Sequence, residues 1–99
     1  MLAIDVIIEI SINDEGQLLV KPEIEKFTLI WRSATEVHWD IQGGYLYSPK
    51  PREWSYFDWY KHIVTVIYKE CGCRLIITND TKWIKIPDNL KEQIISFYN

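Results

Sequence analysis

The chain is short of nearly every feature that marks a specialised class. Among 99 residues it has two cysteines, four glycines, four prolines and one methionine, which is its first residue. So few cysteines exclude a disulfide-dense scaffold, and so few glycines and prolines exclude a collagen-like fibre or a disordered tail. No apolar run approaches the roughly 20 residues of a membrane-spanning helix. Basic charge is also scarce: 11 Lys and Arg face 14 Asp and Glu, a formal net charge of −3. A general nucleic-acid binder needs a positive field, so neither nucleic acid nor a membrane is expected as a partner. The stretch from Met1 to Ile10 holds Asp5 and Glu9 and no Lys or Arg, unlike a secretory leader. The expected compartment is therefore the cytoplasm, with Cys71 and Cys73 as free thiols.

Aromatic residues are abundant: five Trp, six Tyr and three Phe. A chain of this size buries about two-thirds of its open-chain surface. Part of the ring surface is then expected outside, where exposed aromatics mark an interface or a ligand groove.

The pattern along the chain describes one α+β domain over residues 1–99. Ala3 to Ile12 alternates, with Ile4, Val6, Ile8, Ile10 and Ile12 on one side and Asp5, Ile7, Glu9 and Ser11 on the other. A turn at Asn13-Asp14-Glu15-Gly16 leads to a second strand from Gln17 to Val20, which Lys21-Pro22-Glu23 interrupts. Phe27 to Arg32 and Glu36 to Ile41 read as strands, and Gln42-Gly43-Gly44 turns the chain back into Tyr45 to Tyr47.

A helix is expected from about Ser55 to Cys71. Ser55 and Asp58 have capping-box spacing, Trp54 and Trp59 stand at the staple positions, and Gly72 provides the stop. Its apolar residues span an arc of about 200°, so it should be covered on more than one side, by sheet and by a helix or a second subunit. Cys71 lies on that arc and is expected to be buried. Cys73 to Thr78 and Lys82 to Ile86 follow as strands, and a short helix capped by Asp88 ends the chain. The architecture expected is a mainly antiparallel sheet of four or five strands, packed on one long helix, with the short helix at its edge.

No residues stand at catalytic spacing, so no catalytic residue is assigned and the balance is against an enzyme. Glu36, His38 and Asp40 would share one strand face as an acid–base group, or simply as a solvated face. Cys71, Cys73, His38 and His62 lack the spacing of a zinc site, so no metal or cofactor is called for. Lys50, Arg52 and Trp54 gather two cations and an indole at the helix entry, and His62 lies two turns on. That group suits a small anionic ligand, since arginine forks onto carboxylates and phosphates. Tyr45, Tyr47, Trp54, Trp59 and Trp83 are the candidates for an interface. The leading expectation is a non-enzymatic, homo-oligomeric interaction protein. An anionic-ligand protein with a pocket near the start of the long helix is the alternative, and an antitoxin- or immunity-type protein that masks a protein partner is the third.

Two segments, Glu36-Val37-His38-Trp39-Asp40 and the run from Tyr45 through Trp59, give the chain its character. In these it resembles the small orphan proteins carried by integron gene cassettes of environmental bacteria. The resemblance implies a compact bacterial α+β protein, often oligomeric, without an assigned activity. It carries over no site residue.

Overall fold

A computed structural model describes residues 3–98. The longest strand, β1 (Ala3–Ile12), pairs antiparallel with β2 (Leu18–Pro22). A single 3-10 turn follows at Ile30–Arg32, then the hairpin of β3 (His38–Asp40) and β4 (Tyr45–Tyr47). The long helix α1 (Tyr56–Cys71) leads to β5 (Cys73–Ile76), β6 (Lys82–Ile84) and the short helix α2 (Asp88–Phe97). The spatial order is β3-β4-β2-β1-β5, with β6 also on β1, making a six-stranded sheet. Three pairings are antiparallel, whereas β5 and β6 both run parallel to β1. The result is an α+β fold with a mixed sheet. No helix among the described residues is long and apolar enough to cross a membrane.

β1 is long enough, at ten residues, to serve two parallel partners at different points along it. Ala3 to Val6 lie beside β5, and Glu9 to Ser11 lie beside β6. Between them the pairing with β2 skips from Ile7 to Glu9, a β-bulge at Ile8. One extra residue reverses the parity of side chains. Strict alternation therefore fails: Asp5, Ile7 and Ile10 point inward and Ile4 is exposed. The second strand also runs further than expected. It reaches Pro22 at its end, and the next bond to β1 comes from the Glu23 N–H, which donates to the Val6 carbonyl at 2.9 Å.

Phe27 to Arg32 is not a strand. The buried residues are Phe27, Ile30, Ala34 and Val37, and spacings of three and four are those of a coiling backbone. Backbone bonds from Ile30 N–H to the Phe27 carbonyl and from Ser33 N–H to the Ile30 carbonyl close the turns. Nor does the third strand reach Ile41, which stands in the turn after β3 with 80% of its surface exposed.

The long helix forms where its capping signals place it. Ser55 is the N-cap: its Oγ accepts the Asp58 N–H at 3.1 Å, and Asp58 Oδ2 accepts the Ser55 N–H at 3.0 Å. These bonds hold the Asp58 carboxyl below its ordinary range. Gly72 ends the helix in the left-handed region at φ 64°. Trp59, Tyr60, Ile63, Val64 and Ile67 fill the core against Ile7, Ile10, Leu18, Val20 and Leu46 of the sheet. The second side of the helix is covered by α2, through edge-on contacts of Phe57 and Tyr60 with Phe97. Cys71 at the last position is exposed rather than buried, since the buried stripe of the helix ends at Ile67. Asp88 is not the cap of α2. Pro87 holds that place without a side-chain bond, and Asp88 lies in the first turn, where a carboxylate favours the helix dipole.

Candidate functional site

The cleft of interest lies where α1 begins. Its floor depends on anchors elsewhere in the fold. The Tyr56 hydroxyl donates to the Gly16 carbonyl at 2.8 Å, tying the first turn of α1 to the β1–β2 turn. Ser48 is fully buried and its N–H donates to the Leu18 carbonyl, so the segment Pro49 to Glu53 leaves the sheet at a set point. Opposite, the buried side chains of Ala34 and Val37 pin the short loop that presents Thr35 and Glu36.

Between these two loops is a cavity of about 470 Å³. Lys50, Arg52, Trp54 and His62, the four residues singled out as an anionic-ligand group, all line it. The sequence did not associate Thr35, Glu36, Glu53 or Trp59 with them. Glu53 was within reach of sequence reasoning, being next to Arg52. Thr35 and Glu36 were not, because only the fold of the preceding loop brings them across.

Three rings form one wall. The Trp54 ring centre is 4.7 Å from that of Trp59 and 5.2 Å from that of His62, and Trp59 and His62 are 5.8 Å apart. Trp59 retains only 7% of its surface, whereas Trp54 keeps 43%. Trp59, an expected interface residue, is therefore inside the subunit as the inner layer of this wall. Trp59 Nε1 and His62 Nε2 are both buried and have no hydrogen-bond partner among the described residues. Burial holds the His62 imidazole below its ordinary range, against a smaller opposing effect of the Thr35 backbone, so it is neutral at pH 7.

Charge on the cleft is balanced. Lys50 and Arg52 face Glu36 and Glu53. The Arg52 guanidinium lies 3.6 Å from the Glu36 carboxylate, with both side chains largely in solvent. Glu36 has a positive φ of 62°, which a non-glycine residue adopts at some cost.

The remaining candidates are dispersed. Glu36, His38 and Asp40 do not form a group: Glu36 turns to Arg52, His38 is exposed, and Asp40 accepts the Gly43 N–H in the hairpin turn. Tyr45 and Tyr47 are half-buried on the β3–β4 hairpin, where Tyr47 packs on His38. Trp83 is half-buried on β6 beneath the Lys91 ammonium. The most exposed indole is Trp31, beside the 3-10 turn, which the strand reading of that segment concealed.

Fold and cleft together define a small α+β protein with a balanced-charge aromatic pocket at the head of its long helix. The family model described as Integron Cassette Protein Hfx_Cass5 matches residues 5–81, and the chain belongs to that family. A solved structure, the Hfx_Cass5 integron cassette protein from the mobile metagenome of the North West Arm sewage outfall, is 33% identical. The alignment covers 93% of this chain and 92% of that one, with a TM-score of 0.47. No curated protein matches.

Proposed function

We propose that the protein binds a small carboxylate-bearing molecule in the cleft at the head of α1. One observation carries this reading: Lys50 and Arg52 line one cavity with a wall of three tilted and edge-on rings, in which the buried Trp59 Nε1–H has no partner among the described residues. An unpaired buried N–H costs about 1–3 kcal/mol, which a bound oxygen relieves. The cavity lies within the roughly 300–1,000 Å³ range of small-molecule sites. The Arg52–Glu36 pair is exposed and contributes only about 0–1 kcal/mol, so a carboxylate can take the guanidinium at a small cost, the loss of the partner of Glu36. A thermal-shift screen with benzoate, 3-phenylpropanoate, acetate, phosphate and sulfate tests it. A carboxylate should raise the melting temperature of the parent protein and not that of Arg52→Ala. If none of these anions shifts the parent, the reading fails.

A second reading, self-association, draws support from a different place. Leu29, Trp31 and Ile41 are all more than half exposed, and they flank β3, an outer strand of the sheet. Apolar side chains beside an open strand edge favour a second copy of the chain. Sedimentation velocity at tens of micromolar should show a species larger than the monomer, and Trp31→Arg should dissociate it. A monomer throughout would sink this reading.

A further inference from the structure

We propose that the cleft is built for a zwitterion, an α-amino acid, whose carboxylate meets Arg52 and Lys50 while its ammonium rests on Trp54 beside Glu36 and Glu53. This rests on the carboxylate reading above and narrows it to a ligand class.

The charge count is the starting point. With two cations, two carboxylates and a neutral imidazole, the lining has no excess of positive charge. A simple anion entering such a site gains the guanidinium but faces two carboxylates. The Arg52–Glu36 contact makes the difficulty specific. A ligand carboxylate that takes the guanidinium leaves Glu36 without its partner. A ligand that also brings an ammonium restores that partner in the same step, so neither charge pair is lost.

Spacing favours the α-amino arrangement. The two protein charges are 3.6 Å apart, so the ligand charges that exchange with them must also be close together. An α-amino acid carries its carboxylate and ammonium on one carbon. A longer ω-amino acid would hold them too far apart to replace the contact.

The aromatic wall supplies the third element. Trp59 and His62 pack against Trp54, which still leaves 43% of the Trp54 surface open. Indole is the preferred ring for a cation, and the attraction grows as water is excluded. Trp54 therefore offers open ring surface in the cleft to the ammonium, and its neighbours hold the ring in place.

Calorimetric titration of the intact protein separates this proposal from its parent reading. The probes are L-phenylalanine, its des-amino analogue 3-phenylpropanoate and its des-carboxy analogue 2-phenylethylamine, with L-alanine and propanoate as a smaller pair. At least one amino acid should bind tenfold or more tightly than its des-amino partner, and 2-phenylethylamine should bind weakly or not at all. Glu53→Gln should shrink that preference. Glu36→Gln should strengthen 3-phenylpropanoate, by freeing Arg52, and weaken the amino acid. Both glutamates are exposed, so the substitutions leave the core untouched. Equal or tighter binding of the des-amino acids overturns the zwitterion and leaves the carboxylate reading standing. Failure of every carboxylate, including those of the thermal-shift screen, overturns both. Binding of 2-phenylethylamine alone overturns both as well.

Discussion

Trp54 and Trp59 lie against one another with ring centres 4.7 Å apart and planes tilted by 52°, and this contact both staples the start of α1 and forms part of the wall of the cleft. Trp54→Ala removes an aromatic pair and leaves Trp59 open to water. Because Trp54 is 43% exposed, the loss should be about 1–2 kcal/mol, below that of a fully buried Trp. In a domain of this size that lowers the melting temperature by roughly 4–16 °C. Trp54→Phe should recover most of the stability. Denaturant unfolding of the three proteins checks the order.

Asp5 is a buried carboxylate that accepts three backbone N–H groups: Val6 at 2.9 Å, Ile24 at 3.1 Å and Glu25 at 2.8 Å. It ties the loop after β2 to the first strand. Asp5→Ala should cost about 1.5–3 kcal/mol, the range for bonds to a charged acceptor. Amide exchange at Ile24 and Glu25 should accelerate more than the global loss of stability accounts for.

Tyr60 is fully buried, and its hydroxyl pairs with that of Tyr98, which donates to the Leu75 carbonyl at 3.0 Å. Burial raises both phenols above the ordinary tyrosine range. The folded state therefore holds these protons after the unfolded chain has released them. Stability is fully present below about pH 10, the unfolded value, and falls as pH rises above it. Melting temperature followed from pH 8 to 11 should show this decline, and Tyr60→Phe should flatten it. At pH 7 the same variant should lose about 1 kcal/mol.

Gly72 closes α1 with φ 64°, and a Cβ added there would meet no atom within 4 Å. Any effect of substitution is thus backbone strain alone. Gly72→Ala should cost about 1 kcal/mol and Gly72→Asn less, since Asn tolerates the left-handed region. Equal stability of all three by chemical denaturation would contradict the assignment of the cap.

Local chemistry makes part of this legible in the sequence itself. The Ser55–Asp58 box, the Trp54–Trp59 staple and Gly72 lie within or beside the helix they delimit, so adjacent residues suffice to place its ends. Lys50, Arg52, Trp54 and His62 could be grouped because helix geometry carries His62 back over the entry segment. The bulge at Ile8 was hidden, since only its pairing with β2 reveals it. The coil of residues 27–34 was hidden as well, because Phe27, Leu29 and Trp31 alternate like a strand until the core selects Phe27, Ile30 and Ala34.

The amino-acid order alone determined where α1 starts and stops, which class of fold surrounds it and which cations gather at its head. These depend on contacts a few residues long, whose cost in chain entropy is small. Tertiary structure decided the rest: the parity of β1, its two parallel partners, the burial of Trp59 and the arrival of Glu36 opposite Arg52. Each of those requires segments distant in sequence to meet, and only packing of the whole core selects which ones do.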